Sequence, residues 1–262
     1  KTTVPAESFQ VRQALIGMDL TDTDSNVLNY LNFLSAQVSF GSAYFLHVVP
    51  NSDLINALYT KNTQALMARF DVSEGIVERL IEKVKLAMSD RSEIGKDYDV
   101  EEGSVLASIL KRMESIKADL LVLGQKKNSR NVLTKNLIRK TTTSTLLIPD
   151  GAKADVSKIL VPIDFSTDSE KALQNAVSIN QQLNQTAQII CIHVSSLPPF
   201  NEVRESRNWE QIKVTVEKNR QDGLDTFIYS AVGEYAQNIS NEIIEVGRGT
   251  ADSINQYACQ NE

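Results

Sequence analysis

KILVPIDFSTDSEKAL, Lys158 to Leu173, runs four apolar positions into an aspartate and then, with no room for a loop, into a helix start. QALIGMDLTDTDSNVL, Gln13 to Leu28, has the same shape. Neither apolar stretch alternates with polar residues, so both read as strands covered on both faces, as in a parallel sheet flanked by helices.

The repetition extends along the chain. ALIGMDL (14–20) answers ILVPIDF (159–165), with Asp19 and Asp164 145 residues apart. SAYFLHVV (42–49) answers QIICIHVS (188–195), His47 against His193, and DYDVEEGS (97–104) answers EIIEVGRGT (242–250), Gly103 against Gly249, both at 146. Ordered segments at near-constant spacing indicate a tandem duplication. The expected domains are 11–150 and 156–262. The first helix of each copy should bury one stripe: Val27, Tyr30, Leu31, Leu34 and Val38, then Ala172, Ala176, Ile179 and Leu183. Thr167-Asp-Ser-Glu170 reads as a capping box. Variable helical stretches follow at Ser52–Ser89 and Asn208–Ala231, the latter with a core-facing stripe of Trp209, Ile212 and Val216. A third strand then leads through Gly-Ser or Gly-Thr into another helix, bearing Leu106, Ile109, Leu110, Met113 and Ile116 in the first copy.

The first copy continues with ADLLVLG (118–124), a loop, a basic helix and STLLIP (144–149). The second stops at Glu262, level with Ile116, so nothing given corresponds to Lys117–Pro149. In a sheet ordered 3-2-1-4-5 this leaves Ile159–Ile163 as an apolar edge, a template for unwanted pairing. The expectation is that the natural chain continues or that another chain supplies the strands.

Composition narrows the function. At 262 residues the chain suits two domains, and 42% apolar with 23% charged residues is ordinary for a globular protein. A net charge of −6 and a pI near 5.2 speak against a nucleic-acid surface. No run approaches the ~18 apolar residues of a membrane span. Cys191 and Cys259 make no disulfide framework or zinc pattern and read as inert thiols in a reducing cytosol. Lys1 in place of Met suggests a trimmed N-terminus, with Lys1–Gln10 a loose arm. Glu101-Glu102 and TDTDS (21–25) read as solvated acidic loops.

An aspartate at a strand tip has two readings. It can accept hydrogen bonds from a ribose hydroxyl or adenine amino group at the crevice where strand order reverses. It can equally cap the following helix. Duplication does not separate them.

KILVPIDFS…KAL…IICIHV resembles the opening of a universal stress protein domain, and ADLLVLG with RKTTTSTLLIP resembles that family's closing half. The resemblance covers Gln13–Pro149 and Lys158 onward. It implies an α/β chain of two tandem doubly wound parallel-sheet domains, adenine nucleotide alpha hydrolase-like, with strand order 3-2-1-4-5. It also implies a cytoplasmic stress-response protein, a binding or signalling module and not an enzyme. The implied partners are the sister domain, a second copy through an edge such as STLLIP, and a protein target; neither nucleic acid nor membrane is among them. ATP is the one cofactor implied. Nucleotide-binding members use a loop of Gly, two residues, Gly, nine residues and Gly-Ser/Thr after strand 4. Here the segment is GQKKNSRNVLTK (124–135): Gly124 is present, Lys127 replaces the second glycine, Asn131-Val132 stands for Gly-Ser, and the spacing is short. Lys126, Lys127 and Arg130 read as a solvated basic loop. The family's base and ribose positions fall on Met18, Asp19 and Val48 in the first copy and Pro162, Ile163, Asp164 and Val194 in the second. Pro162 gives up a ladder hydrogen bond and would be awkward in a central strand. Two hypotheses stay open: a member that binds no nucleotide, and one that binds ATP through Asp164 with at most slow hydrolysis. A Ser–His–Asp site from Ser166 or Ser195, His193 and Asp164 lacks the G-x-S-x-G turn, and strand-tip histidines are more often packed.

Overall fold

The computed structural model describes residues 9–50, 63–88, 94–126, 132–195 and 209–261. The chain divides into two compact units: Gln10–Asp155, and Val156–Glu262 together with the segment ending at Phe9.

In the first unit β1 (Val11–Met18), α1 (Thr23–Gln37), β2 (Phe40–Pro50), α2 (Thr63–Ala87), β3 (Gly95–Gly103), α3 (Val105–Ile116), β4 (Leu120–Gln125), α4 (Val132–Lys140) and β5 (Ser144–Pro149) follow in order. The sheet runs β3-β2-β1-β4-β5, every pair parallel. Strand order reverses at β1, which has β2 on one side and β4 on the other, and a crevice opens at their carboxyl ends. The continuous apolar runs are explained by two covered faces. Leu15, Leu46, Val48, Leu121 and Leu123 form one core with Ile109 and Met113 of α3 and Leu137 of α4. Ile16 and Phe45 alternate to the opposite face, and both are fully buried. On α1, Val27, Leu31 and Val38 are buried and Tyr30 and Leu34 partly so, the stripe expected.

The second unit holds β6 (Lys158–Pro162), α5 (Thr167–Gln182), β7 (Gln188–Ser195), α6 (Trp209–Val232), a 3-10 turn (Gly233–Asn238), β8 (Ile239–Glu245) and α7 (Thr250–Gln260). Its parallel sheet is ordered β6-β7-β8. Val161, Ile163, Leu173, Val177, Ile189, Cys191, Leu224 and Ile228 build its core.

Several sequence expectations are corrected here. Ala172 is exposed and Ile179 only half-buried; the buried face of α5 is Leu173, Ala176, Val177, Asn180 and Leu183, a stripe rotated by one residue. The cap also sits one residue earlier than the Thr167 box: Ser166 Oγ accepts the Ser169 N–H at 3.1 Å. The third strands align differently as well. His47 faces Val100 and His193 faces Ile243, so Ile243, not Val246, stands opposite Val100. The extra residues lie between β8 and α7. The Ile163 N–H donates to Ile192 O (2.8 Å), and alternation turns the Pro162 nitrogen to the side of β6 that, among the described residues, has no partner strand.

The acidic stretches are not simply solvated. Glu101 lies in β3 and shares Arg112 with Asp99 (Asp99 Oδ2 at 2.5 Å; Glu101 Oε1 at 3.0 Å from Nε). The guanidinium stacks 4.9 Å from the Tyr44 ring centroid, and the Tyr44 hydroxyl donates to Asp99 (3.0 Å). Burial, then that bond, pushes Tyr44 up to about 12. Asp24, from TDTDS, is buried. The arm is fastened at its end: the Phe9 N–H donates to Ser178 Oγ (2.6 Å), and its carbonyl accepts from Gln182 (2.9 Å). Cys191 is buried, which pushes its thiol up to about 12, but Cys259 is exposed, so the two thiols are not equally inert. Lys127, Arg130, Asn131 and the side chains of Trp209 and Ile212 lie outside the described residues.

Candidate functional site at the strand tips

Both units build the same turn after their first strand. Leu20 and Phe165, directly after the two aspartates, have left-handed backbone (φ 58° and 64°), a conformation non-glycine residues adopt only where the surroundings impose it. Asp19 Oδ1 accepts the Thr21 N–H (3.0 Å) and hydroxyl (2.5 Å); Asp164 Oδ1 accepts the Ser166 N–H and hydroxyl at the same distances. The Nδ1–H of His47 donates to the Met18 carbonyl (2.9 Å), and that of His193 to the Ile163 carbonyl (2.8 Å). Neither aspartate caps a helix. The N-caps are Asp22 and Ser166, and each strand-tip aspartate instead braces the turn leading to its cap. The capping alternative therefore falls. His193 and Asp164 spend these atoms on a carbonyl and on Ser166, neither of which is the Asp–His link of a relay.

In the first unit the crevice is a cavity of about 310 Å³. Met18, Asp19, Val48 and Gly124, four of the expected residues, line it together, with Gly17, His47, Val105, Ile109, Leu123, Leu133 and Leu137. Its walls are mostly aliphatic. A Cβ at Gly124 would stand 2.9 Å from Thr23 Cγ2 and 3.0 Å from Val27 Cγ2. Close packing of α1 on β4 thus requires this glycine without any phosphate.

Two ion pairs set the electrostatics. Lys126 Nζ lies 2.6 Å from Asp19 Oδ2, so it is not simply solvated, and Lys83 Nζ lies 3.3 Å from Asp24 Oδ2 while also donating to the Thr21 carbonyl. Asp24 Oδ1 accepts the Asp19 N–H (3.2 Å). Burial raises Asp19, but the Lys126 and Thr21 hydrogen bonds outweigh it and hold the carboxyl at about 2. Burial keeps Asp24 above its ordinary value, against the opposing bond from the Asp19 backbone. Asp24 and Lys83 were not evident from the sequence. An acidic residue in the first turn of a helix ordinarily faces water, and Lys83 comes from the most variable part of the repeat.

In the second unit Ile163 is buried, Pro162 and Asp164 are exposed, and Val194 is half-buried at the tips of β6 and β7. The Phe165 ring, 44% exposed, lies against His193 (centroids 4.7 Å apart) and edge-on to Phe227 (5.5 Å). Hydrogen bonds from Ser166 hold the Asp164 carboxyl below its ordinary value.

An α/β chain with parallel strands, order reversal at β1 and a crevice at the carboxyl ends belongs to the nucleotide-binding-like class of folds. Residues 156–262 match the model of the universal stress protein family. A universal stress protein from Archaeoglobus fulgidus DSM 4304 superposes over 95% of this chain and 82% of its own, with TM-score 0.60 and 17% identity. A putative universal stress protein from Pseudomonas aeruginosa UCBPP-PA14 covers 96% and 79%, with TM-score 0.58 and 14% identity. At these identities the likeness speaks for the fold. No curated protein sequence matches the chain significantly. Among the described residues, no helix is long and apolar enough to cross a membrane.

Proposed function

We propose that the chain is a cytoplasmic stress-response protein made of two copies of one domain, acting as a binding or signalling module and not as an enzyme, and that its first unit does not hold ATP. The observation that carries this reading is the Lys126–Asp19 pair. A ribose hydroxyl could reach Asp19 only by displacing an ammonium 2.6 Å away, a poor exchange because the charged partner makes the stronger hydrogen bond. The aliphatic walls, two carboxylates and a glycine already occupied by α1 add to this: a triphosphate needs converging N–H donors and positive charge. Self-association through the outer edge of β5, which among the described residues pairs only with β4, belongs to the same reading.

A second reading, adenine-nucleotide binding by the second unit, is favoured by one observation. The exposed Phe165 ring stands beside Asp164, offering a face for a base next to an acceptor for a ribose. Calorimetric titration of ATP into the wild-type chain, Asp19→Ala and Asp164→Ala separates the two. The first reading expects no heat that depends on Asp19. Heat that survives Asp19→Ala and vanishes in Asp164→Ala establishes the second reading, whereas heat lost in Asp19→Ala overturns the first.

A further inference from the structure

We propose that α4 docks the chain on an anionic phospholipid surface, with Lys135, Arg139 and Lys140 at the headgroups and Val132 and Ile138 in the shallow apolar layer beneath them. The inference lies outside the nucleotide question and does not depend on its answer.

The first support is what α4 exposes. Val132 is 60% and Ile138 45% exposed, and Lys135, Arg139 and Lys140 are exposed beside them. Positions three, four and seven apart share a helix face, which gathers Val132, Lys135, Ile138 and Arg139 on one side. Leu137 is fully buried on the other and fastens the helix to the core. Among the described residues, none of the three cations forms an ion pair. Arg139 and Lys140 stand in the last turn, where they complement the helix dipole. The dipole accounts neither for Lys135 nor for two aliphatic side chains turned outward.

The second support is the distribution of charge. The stretch 120–149 carries six Lys and Arg and no Asp or Glu, so a chain of net charge −6 is −12 outside it. An anionic surface is attracted by this stretch and repelled by the rest, which orients the chain with α4 toward it.

The aliphatic residues select the occupant. A phosphate backbone would pair with the cations but leave Val132 and Ile138 wet, and the stretch has no aromatic side chain on which a base could stack. A lipid surface accepts both kinds of residue. Lysine and arginine reach the headgroups along their methylene stems, while short aliphatic groups enter the boundary with the acyl chains. Nine residues with two aliphatic anchors make a weak contact, which anionic charge must complete.

The test is co-sedimentation of the full chain with vesicles of phosphatidylcholine alone and of phosphatidylcholine with about one-third phosphatidylglycerol. Binding should appear only with the anionic vesicles and fall at least about tenfold between low salt and ~0.5 M NaCl. Lys135→Gln should weaken it about fivefold, the scale of one cation near such a surface. Lys135→Gln, Arg139→Gln and Lys140→Gln together should abolish it. Val132→Ser with Ile138→Ser keeps the charge and should still weaken it about tenfold. All five side chains are exposed, so urea midpoints should stay at the wild-type value, which separates lost binding from lost structure. No binding to the anionic vesicles, equal binding to the neutral ones, or undiminished binding in the triple or the aliphatic variant overturns the proposal. So does stronger binding to poly-L-glutamate or to a DNA duplex than to the vesicles, which would give this face to an acidic protein or to nucleic acid instead.

Discussion

Asp19 and Asp24 sit five residues apart in the same turn and are driven in opposite directions. Asp19 is lowered to about 2, so its contribution to stability is present above the ordinary value of 3.8 and is lost as pH falls through about 2. Asp24 is raised, so what it contributes is present below 3.8 and fades as pH rises through its folded value. Both members of the Lys126–Asp19 pair are nearly half exposed, which limits the pair to under about 1 kcal/mol after screening. Lys126→Met should therefore leave stability at neutral pH within that margin while moving the Asp19 titration up toward 3.8. Carboxyl-carbon NMR between pH 5 and pH 1.5 (a window of roughly this width follows from the linkage) reads the shift. An unchanged Asp19 titration would mean that Thr21 alone holds the carboxyl down. The sequence showed Asp19 as a strand-tip acceptor, but not its occupant. A lysine in a polar loop has no periodicity that says which way it turns, and the same holds for Lys83.

At the scale of elements, the duplication is most legible where strand meets helix, because a buried strand and an immediate cap leave little freedom. Asp19 and Asp164, Leu20 and Phe165, and His47 and His193 fall in matching geometry although few of the surrounding residues agree. The misread features were boundaries. Thr167 and Glu170 complete a familiar capping pattern in the sequence, whereas Ser166 does the capping and is held in place by Asp164. Ser166→Ala removes both the cap and the group that Asp164 grips. It should cost about 1–2 kcal/mol of stability, the upper part of the usual capping range, measured by urea denaturation. Thr167→Ala, expected to be critical had the original box been right, should cost well under that. The β8 misalignment has a similar origin: Gly103 and Gly249 both precede a helix, but only the sheet register fixes how many residues separate strand from helix.

For the whole molecule, parallel sheets covered on both faces and the two cores were readable from unbroken apolar runs, whereas the strand order came only with the family resemblance. Cys191 and Cys259 give a direct probe of the second core. Cys191 stands opposite Val161 in the sheet and belongs to the same buried core, with its thiol pushed up to about 12 by burial; Cys259 is exposed on α7. A thiol reagent at pH 8 should label Cys259 at once and Cys191 only at the rate at which the unit opens, so the slow phase measured against urea reports the stability of Val156–Glu262. Fast labelling of both would mean that this core is not closed in solution.

The outward-facing nitrogen of Pro162 has one more effect. Along β6 the backbone positions turned away from β7 include Leu160 and Pro162, and the second offers no N–H. A stray strand aligning there could engage the early part of β6 but would find its zipper missing a tooth just before the Asp164 turn. Any strand that pairs on this side of β6, from this chain or another, has to do without that hydrogen bond and supply its own compensation at that point.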